Sequence, residues 1–159
     1  MRQRGFEIIS DYQDKGITIP QRATKGAAGY DFEAAETVTV PSIWKLQAQG
    51  TEPKPVLIKT GIKAYMPENE YLELVSRSSN PLKRFLMLAN GVGVIDRDYY
   101  NNDGNEGHIM FQFLNFGYED MVIEKGERIG QGIFKPFLLA DEDTVENERT
   151  GGFGSSGNK

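Results

Sequence analysis

The sequence predicts an all-β fold, a jelly-roll-like barrel with one short helix. Three observations carry this expectation. Seven short apolar segments of strand length recur along the 159 residues. Eighteen glycines and seven prolines are spread between those segments rather than clustered. A single stretch carries helix-start signals. The length fits one domain, and 38% hydrophobic residues suffice for a modest core.

Strands are expected at Phe6–Ile9, Val38–Val40, Val56–Ile58, Tyr71–Val75, His108–Phe116, Met121–Ile123 and Ile129–Phe134. The helix follows the fourth of these. Asn80 can cap it, and Pro81 suits the first helical position, where its missing N–H is not needed. Leu82, Phe85 and Leu86 share a face, so the helix should reach about Leu88 and pack on the barrel. The stretch His108–Phe116 is apolar on both alternating faces: Ile109, Phe111 and Phe113 on one, Met110 and Leu114 on the other. A strand of a small antiparallel sheet should have one polar face. The second apolar face therefore predicts another covering, either a subunit contact or a loop. The stretch 43–55 is longer than a turn requires, and Trp44 has no role in this reading. The barrel domain should span residues 1–140. Residues 141–159 form an arm, acidic to Glu148 and then rich in Gly and Ser, which cannot bury enough surface to order itself.

Composition removes several classes of function. There is no cysteine and one histidine, His108. Disulfides and thiolate metal sites are excluded, and a metal would be a hard cation such as Mg2+, held by oxygens. A net charge of −5 argues against a protein that coats nucleic acid. A polyphosphate substrate remains compatible, because it needs only a few local cations, backbone N–H groups and a metal. No apolar run of about 18 residues spans a membrane. Met1–Ser10 lacks the features of a signal peptide, so a cytoplasmic location is expected.

Five segments have the residue types for nucleotide chemistry. In Asn90–Tyr99, Gly91 and Gly93 let a backbone approach a flat ligand, and Tyr99 could stack on a sugar. Asp96 could take a proton from water attacking phosphorus. The plain alternative is a β-hairpin with aspartates in its turn. In Ser76–Ser79, Arg77 could grip phosphate oxygens, with hydroxyls from Ser78 and Ser79; a helix cap beside a surface arginine is the alternative. In Ala28–Asp31, Asp31 could close a turn. In Gly126–Gln131, Arg128 reads as a structural ion pair, and Gln131 as a phosphate contact or a ladder neighbour. Arg149–Gly157 is either a flexible tail or a lid. As a lid, Arg149 would neutralise a γ-phosphate, Phe153 would stack on a base, and Ser155 and Ser156 would bond phosphate oxygens.

Together, in this order, the five segments resemble the five motifs of the trimeric dUTP pyrophosphatases (dUTPases), across most of the chain from Ala28 to Gly157. The resemblance implies a dUTPase-like (β-clip) barrel and a homotrimer. It implies three sites at subunit interfaces, with the arm of one subunit closing a site built by two others. It implies hydrolysis of dUTP to dUMP and pyrophosphate by water attack on the α-phosphorus, which keeps uracil out of DNA and supplies dUMP for thymidylate synthesis. Mg2+ would lie across the triphosphate without direct protein ligands, and Asp31 would support the site and a metal-bound water.

By the same resemblance, Asp96 and Arg149 are the catalytic residues. Asn90, Gly93, Val94 and Ile95 belong to the uracil-reading hairpin, Tyr99 lies under the deoxyribose, and Met110 contributes a backbone contact. Arg77, Ser78, Ser79 and Gln131 hold phosphates, and Phe153, Gly154, Ser155 and Ser156 belong to the closing arm. Departures from the usual pattern are Ser79 for Gly, Gly130 for Ala, Phe32 for Leu, and a longer connection at Tyr100–Glu106. Three rivals stay open. One is a dCTP deaminase or bifunctional deaminase–diphosphatase on the same fold. Another is a nucleotide-switched regulator of a protein partner. The last is a purely structural jelly roll. The Gly-Val-Ile-Asp-x-Asp-Tyr hairpin and the Arg149 arm favour the dUTPase.

Overall fold

In the computed structural model, which describes residues 1–146, 149 and 151–154, the described residues form four antiparallel sheets. The largest has the order β2 (Tyr30–Glu33), β11 (Arg128–Pro136), β6 (Glu70–Ser76), β8 (Gly93–Ile95). A three-stranded sheet runs β4 (Val56–Lys59), β9 (Met110–Asn115), β7 (Leu86–Leu88). Two ribbons complete the barrel: β1 (Gly5–Ile8) with β5 (Ile62–Tyr65), and β3 (Val38–Val40) with β10 (Met121–Ile123). The mainly non-sequential pairing is that of a jelly-roll-like β fold. The sheets enclose one principal core, in which Phe32, Leu72, Phe111, Phe113 and Ile129 are essentially without solvent contact.

All seven expected strands are present. Four others that the sequence reading did not name, β2, β5, β7 and β8, are of three or four residues. In β9, Phe111 and Phe113 point into the core while Met110, Gln112 and Leu114 are partly exposed on the other side. Leu57 lies opposite Gln112 and Met87 opposite Leu114, which extends that outer apolar surface across the sheet.

The expected single helix needs correction. Helix α2 covers Ser79–Arg84, with Ser78 and not Asn80 at the cap position. It ends where Phe85 takes a left-handed conformation (φ 55°), and Leu86–Leu88 pair with β9 as a strand. A helix of six residues cannot present a buried stripe. Leu82 and Phe85 are accordingly exposed, and only Leu86 of the expected face is buried. Asn80 is instead a buried connector whose Nδ2 donates to Ser76 Oγ at 3.1 Å and to the Ile129 carbonyl at 2.8 Å. The fold also holds a second helix, α1 (Ile43–Ala48), inside the long 43–55 segment. Its signal was Ser42, whose hydroxyl accepts from the Trp44 N–H at 3.3 Å as an N-cap. The Trp44 indole donates to the Phe116 carbonyl at 2.9 Å, so this residue fastens the inserted helix to the barrel.

Two positions make stability predictions. A Cβ on Gly130 would lie 2.2 Å from Cε1 of the buried Phe111 ring. Gly130→Ala should therefore cost about 1–3 kcal/mol in urea unfolding, with relief if Phe111 is trimmed to Leu in the same chain. His108 is buried beside Tyr12, and its Nε2 accepts from the Gly61 N–H at 2.9 Å, which requires the neutral ring. Burial and, to a lesser degree, the Lys59 charge lower its pKa from 6.5 to about 4. Below pH 6.5 the unfolded chain takes up a proton that the folded chain refuses. Stability should thus fall between pH 6.5 and 4 by up to about 3 kcal/mol from this group, and His108→Gln should flatten that slope.

Candidate active site: two half-sites on one sheet

The Asn90–Tyr99 segment, expected as a hairpin, is instead a turn that carries the chain from β7 in one sheet to β8 in the other, and β8 pairs with β6, with Gly93 opposite Leu74 and Ile95 opposite Leu72. A side chain at Gly93 would meet Leu74 Cβ at 2.9 Å, so the close approach requires glycine. Gly91 makes the turn with φ 71°. After β8 the chain leaves Asp96 extended and coils through a 3-10 turn at Arg97–Tyr99, which carries the Tyr99 ring back beneath the segment. The result is a cleft of about 220 Å³ lined by Asn90, Gly93, Val94, Ile95, Asp96 and Tyr99. Leu74, Met110 and Gln112 close its floor and side. A mainly apolar slot with backbone edges and one carboxylate suits a flat heterocycle joined to a charged group.

The arm residues that are described lie over this same cleft. Arg149, Gly152 and Phe153 complete its lining, with Gly154 next in sequence. Arg149 donates from NH2 to Asp96 Oδ2 at 2.5 Å, from Nε to Asp98 Oδ1 at 2.7 Å and from NH1 to the Gly151 carbonyl at 3.1 Å. Its guanidinium sits 5.9 Å from the Tyr99 ring centroid. A Cβ on Gly152 would lie 2.5 Å from Tyr99 Cε1, which explains glycine at this point of the arm. Ser155 and Ser156 lie outside the described residues. Partial burial raises the Asp96 carboxyl above its ordinary pKa; the Arg149 charge lowers it, and the Asp98 carboxylate adds to the rise. A carboxylate poised upward in pKa is a better proton acceptor than a fully solvated one.

The phosphate candidates gather elsewhere. Ser76 pairs with Gly130 at the far end of β6, and Arg77 donates to the Arg128 carbonyl at 3.1 Å. Ser78 is exposed and its side chain makes no cap bond, so its hydroxyl is available; Ser79 opens α2. Gln131 lies opposite Asp31 in the β2–β11 ladder and folds over Gly29, where a Cβ would meet its Oε1 at 2.1 Å. That contact is the reason for the glycine before Tyr30. Asp31 faces Arg128 at 3.7 Å, at the edge of a polar cavity of about 250 Å³ also lined by Gln21, Arg22 and Glu33.

Asp31, Arg77, Ser78, Ser79 and Gln131 do not line the Asp96 cleft. Ile95 is opposite Leu72, and Ser76 is four positions further along β6, which is about 13 Å of strand. Asp96 continues in the opposite direction. Within one chain the cleft, beside Leu72–Leu74 of β6, and the cluster that begins at Ser76 are therefore separate. Among the described residues no group of three His, Cys, Asp or Glu side chains is placed to hold a metal. The sequence reading missed Leu74, Gln112, Gly152, Asp98 and Asn105 as neighbours of the cleft. Asp98 stands in the Asp-x-Asp pair, which was a usable signal; Gln112 had none.

No helix among the described residues is long and apolar enough to cross a membrane. The dUTPase family model matches residues 15–157. A deoxyuridine 5'-triphosphate nucleotidohydrolase of Lactococcus lactis subsp. lactis is 54% identical over 160 residues, covering 99% of each chain. A dUTPase crystal structure from Streptococcus mutans is similar with TM-score 0.76 and 49% identity, over 86% of this chain and 98% of that one. The Staphylococcus bacteriophage 80alpha dUTPase G164S mutant with dUpNHpp is similar with TM-score 0.69 and 25% identity, over 99% of this chain and all of that one. The motif order, the barrel and these likenesses agree: the chain belongs to the dUTPase family.

Proposed function

We propose that this chain hydrolyses dUTP to dUMP and pyrophosphate at sites shared between copies, with Asp96 as the base that activates water. The observation that carries the reading is the Asp96 carboxylate at the mouth of a slot shaped for a base and a sugar. Uracil lies between the Gly93–Ile95 backbone and Phe153. Backbone polarity selects it over cytosine, and lack of room for the 5-methyl group selects it over thymine. Tyr99 packs under the deoxyribose and leaves no space for a 2′-hydroxyl. Met110 adds a contact from β9.

Asp96 takes a proton from the water that attacks the α-phosphorus, and pyrophosphate departs. Arg149 leaves its two aspartates and pairs with the γ-phosphate, so the arm closes only over a complete substrate. Ser155 and Ser156 add phosphate contacts, while Arg77, Ser78, Ser79 and Gln131 hold the chain from the other side. When bound, Mg2+ offsets triphosphate charge and is held by substrate oxygens and water. Asp31 fits a water-mediated role in that set, since it is largely buried beside a polar cavity and shared with Arg128.

The separation of the half-sites is the reason for a trimer. Within one chain the Arg77 cluster does not line the Asp96 cleft, whereas the Arg77 cluster of a neighbour can face it. The outer surface of β9 with Leu57 and Met87 supplies an apolar face for that assembly. The arm, which here lies on its own cleft, would close a neighbouring site in the trimer. Nucleotide-pool chemistry places the enzyme in the cytoplasm. The deciding assay is pyrophosphate release from dUTP, UTP, dTTP and dCTP, with Mg2+ and with chelator, with ammonia followed alongside. Release from dUTP alone, abolished by chelator, is expected; ammonia from dCTP would move the protein to the deaminases. Mixing inactive Asp96→Asn and Arg77→Ala chains should restore activity through mixed trimers, and failure to do so would place both residues in one chain's site.

A further inference from the structure

The Tyr100–Gly107 segment, longer than the family pattern, is built as a brace on Tyr99. The Tyr99 hydroxyl donates to the His108 carbonyl at 2.7 Å and accepts from Asn105 Nδ2 at 2.7 Å. Asn105 Oδ1 in turn accepts from Asn102 Nδ2 at 2.8 Å and from the Gly107 N–H at 3.1 Å. The other proton of the Asn102 amide goes to the Tyr99 carbonyl at 2.7 Å. Asn102 Oδ1 accepts from the N–H groups of Gly104 and Asn105, at 2.9 and 3.0 Å. Both ends of the tyrosine, its phenol and its carbonyl, are thereby fixed by two asparagines of one loop. Gly107 has φ 89°, and a Cβ there would lie 2.8 Å from the Tyr99 carbonyl oxygen, so glycine is what lets the loop close on this residue.

The outer edge of the loop is tied to the barrel. Lys63 of β5 donates to Asn101 Oδ1 at 2.6 Å and pairs with Glu106 at 2.7 Å, and the Tyr100 phenol bonds to Glu7 of β1. Glu106 also accepts from the Ser10 N–H, at 3.1 Å to one of its oxygens. The ring of Tyr99 is thus referenced to two strands outside the segment that carries it. Sugar selection by exclusion depends on how high the ring stands under C2′, and a displacement of about 1 Å is enough to admit a hydroxyl.

We infer that Asn105 is a positioning residue that sets deoxyribose over ribose selectivity by holding the Tyr99 ring through its hydroxyl. This rests on the reading that Tyr99 lies under the sugar, and the test separates the two. Tyr99→Phe keeps the ring and the bonds among Asn102, Asn105 and Gly107, and removes both bonds of the hydroxyl, the one from Asn105 and the one to the His108 carbonyl. Asn105→Ala removes the anchor from the other side, leaves the hydroxyl its bond to the His108 carbonyl, and also takes away the acceptor of the Asn102 amide and the Gly107 N–H. Each should lower the dUTP:UTP ratio of kcat/KM about tenfold, mainly through better use of UTP, in protein whose thermal unfolding stays cooperative. The double variant should lose less than the sum of the two singles, because the Tyr99–Asn105 bond is removed in each of them. Additive losses would overturn the inference, as would equal losses for dUTP and UTP with the ratio unchanged, the signature of a loop that only stabilises the fold. Tyr99→Leu supplies the other arm. If it leaves the ratio intact, the sugar-platform reading fails and the inference falls with it. If it relaxes the ratio while Asn105→Ala does not, only the brace fails.

Discussion

Asp96→Asn is expected to lower kcat for dUTP about a thousandfold while leaving the affinity for a non-hydrolysable dUTP analogue within a few-fold of the parent. The amide keeps the shape of the side chain and an oxygen that can accept from Arg149, and loses the negative charge and with it the capacity to take a proton. Single-turnover kinetics and analogue titration separate the two quantities. Turnover near the parental rate would remove Asp96 as the base. The parent enzyme carries a second signature. The active form of Asp96 is the carboxylate, and its pKa is raised, first by burial and then by Asp98 against the pull of Arg149. Activity should therefore fail on acidification at a pH above the ordinary value of an aspartate. Arg149→Ala withdraws the only lowering influence, so its acid limb in kcat/KM should move to still higher pH. A limb that stays in place would show that the ion pair does not set the base.

Deleting residues 148–159 is expected to leave the barrel and its assembly intact and to lower kcat by about a hundredfold or more. The described residues of the arm contribute no strand and no buried core side chain. What it brings to the cleft is a cation at the carboxylates, Gly152 against Tyr99, and Phe153 over the slot. Its loss opens the reacting groups to water and removes a charge-assisted phosphate contact, the two effects for which a closing lid is needed. Light scattering should report the same oligomer as the parent. Parental rates after the deletion would end the lid reading.

The Asp96–Arg149–Asp98 contacts give that lid a resting place. Without substrate, Arg149 satisfies two carboxylates that would otherwise repel each other across the turn. In the proposed mechanism a triphosphate arriving at Asp96 presents more negative charge than the aspartates do and takes over the guanidinium, freeing the carboxylate.

Much of this protein was determined by local sequence. The strands that span several alternating residues, such as Tyr71–Val75 and Ile129–Phe134, were readable because period-two burial leaves a mark in the chain itself. The turn at Gly91, the close approach at Gly93 and the Asp96–Tyr99 turn were readable because close approach and tight turning demand particular residues wherever they occur, although the expected hairpin is a crossing between sheets. Tertiary structure decided the rest. Helix α2 stops at Phe85 because Leu86–Leu88 gain a ladder with β9, a partner more than twenty residues away in sequence. Asn80 reads as a cap but is drawn inward to bond Ser76 and the Ile129 carbonyl. Gly130 and Gly29 are dictated by Phe111 and Gln131, which only the sheet brings against them. The separation of the two half-sites and the bracing of Tyr99 by Asn105 follow from register and from loop packing. These are relations between distant residues, and a chain read in order has no term for them until the strands are paired.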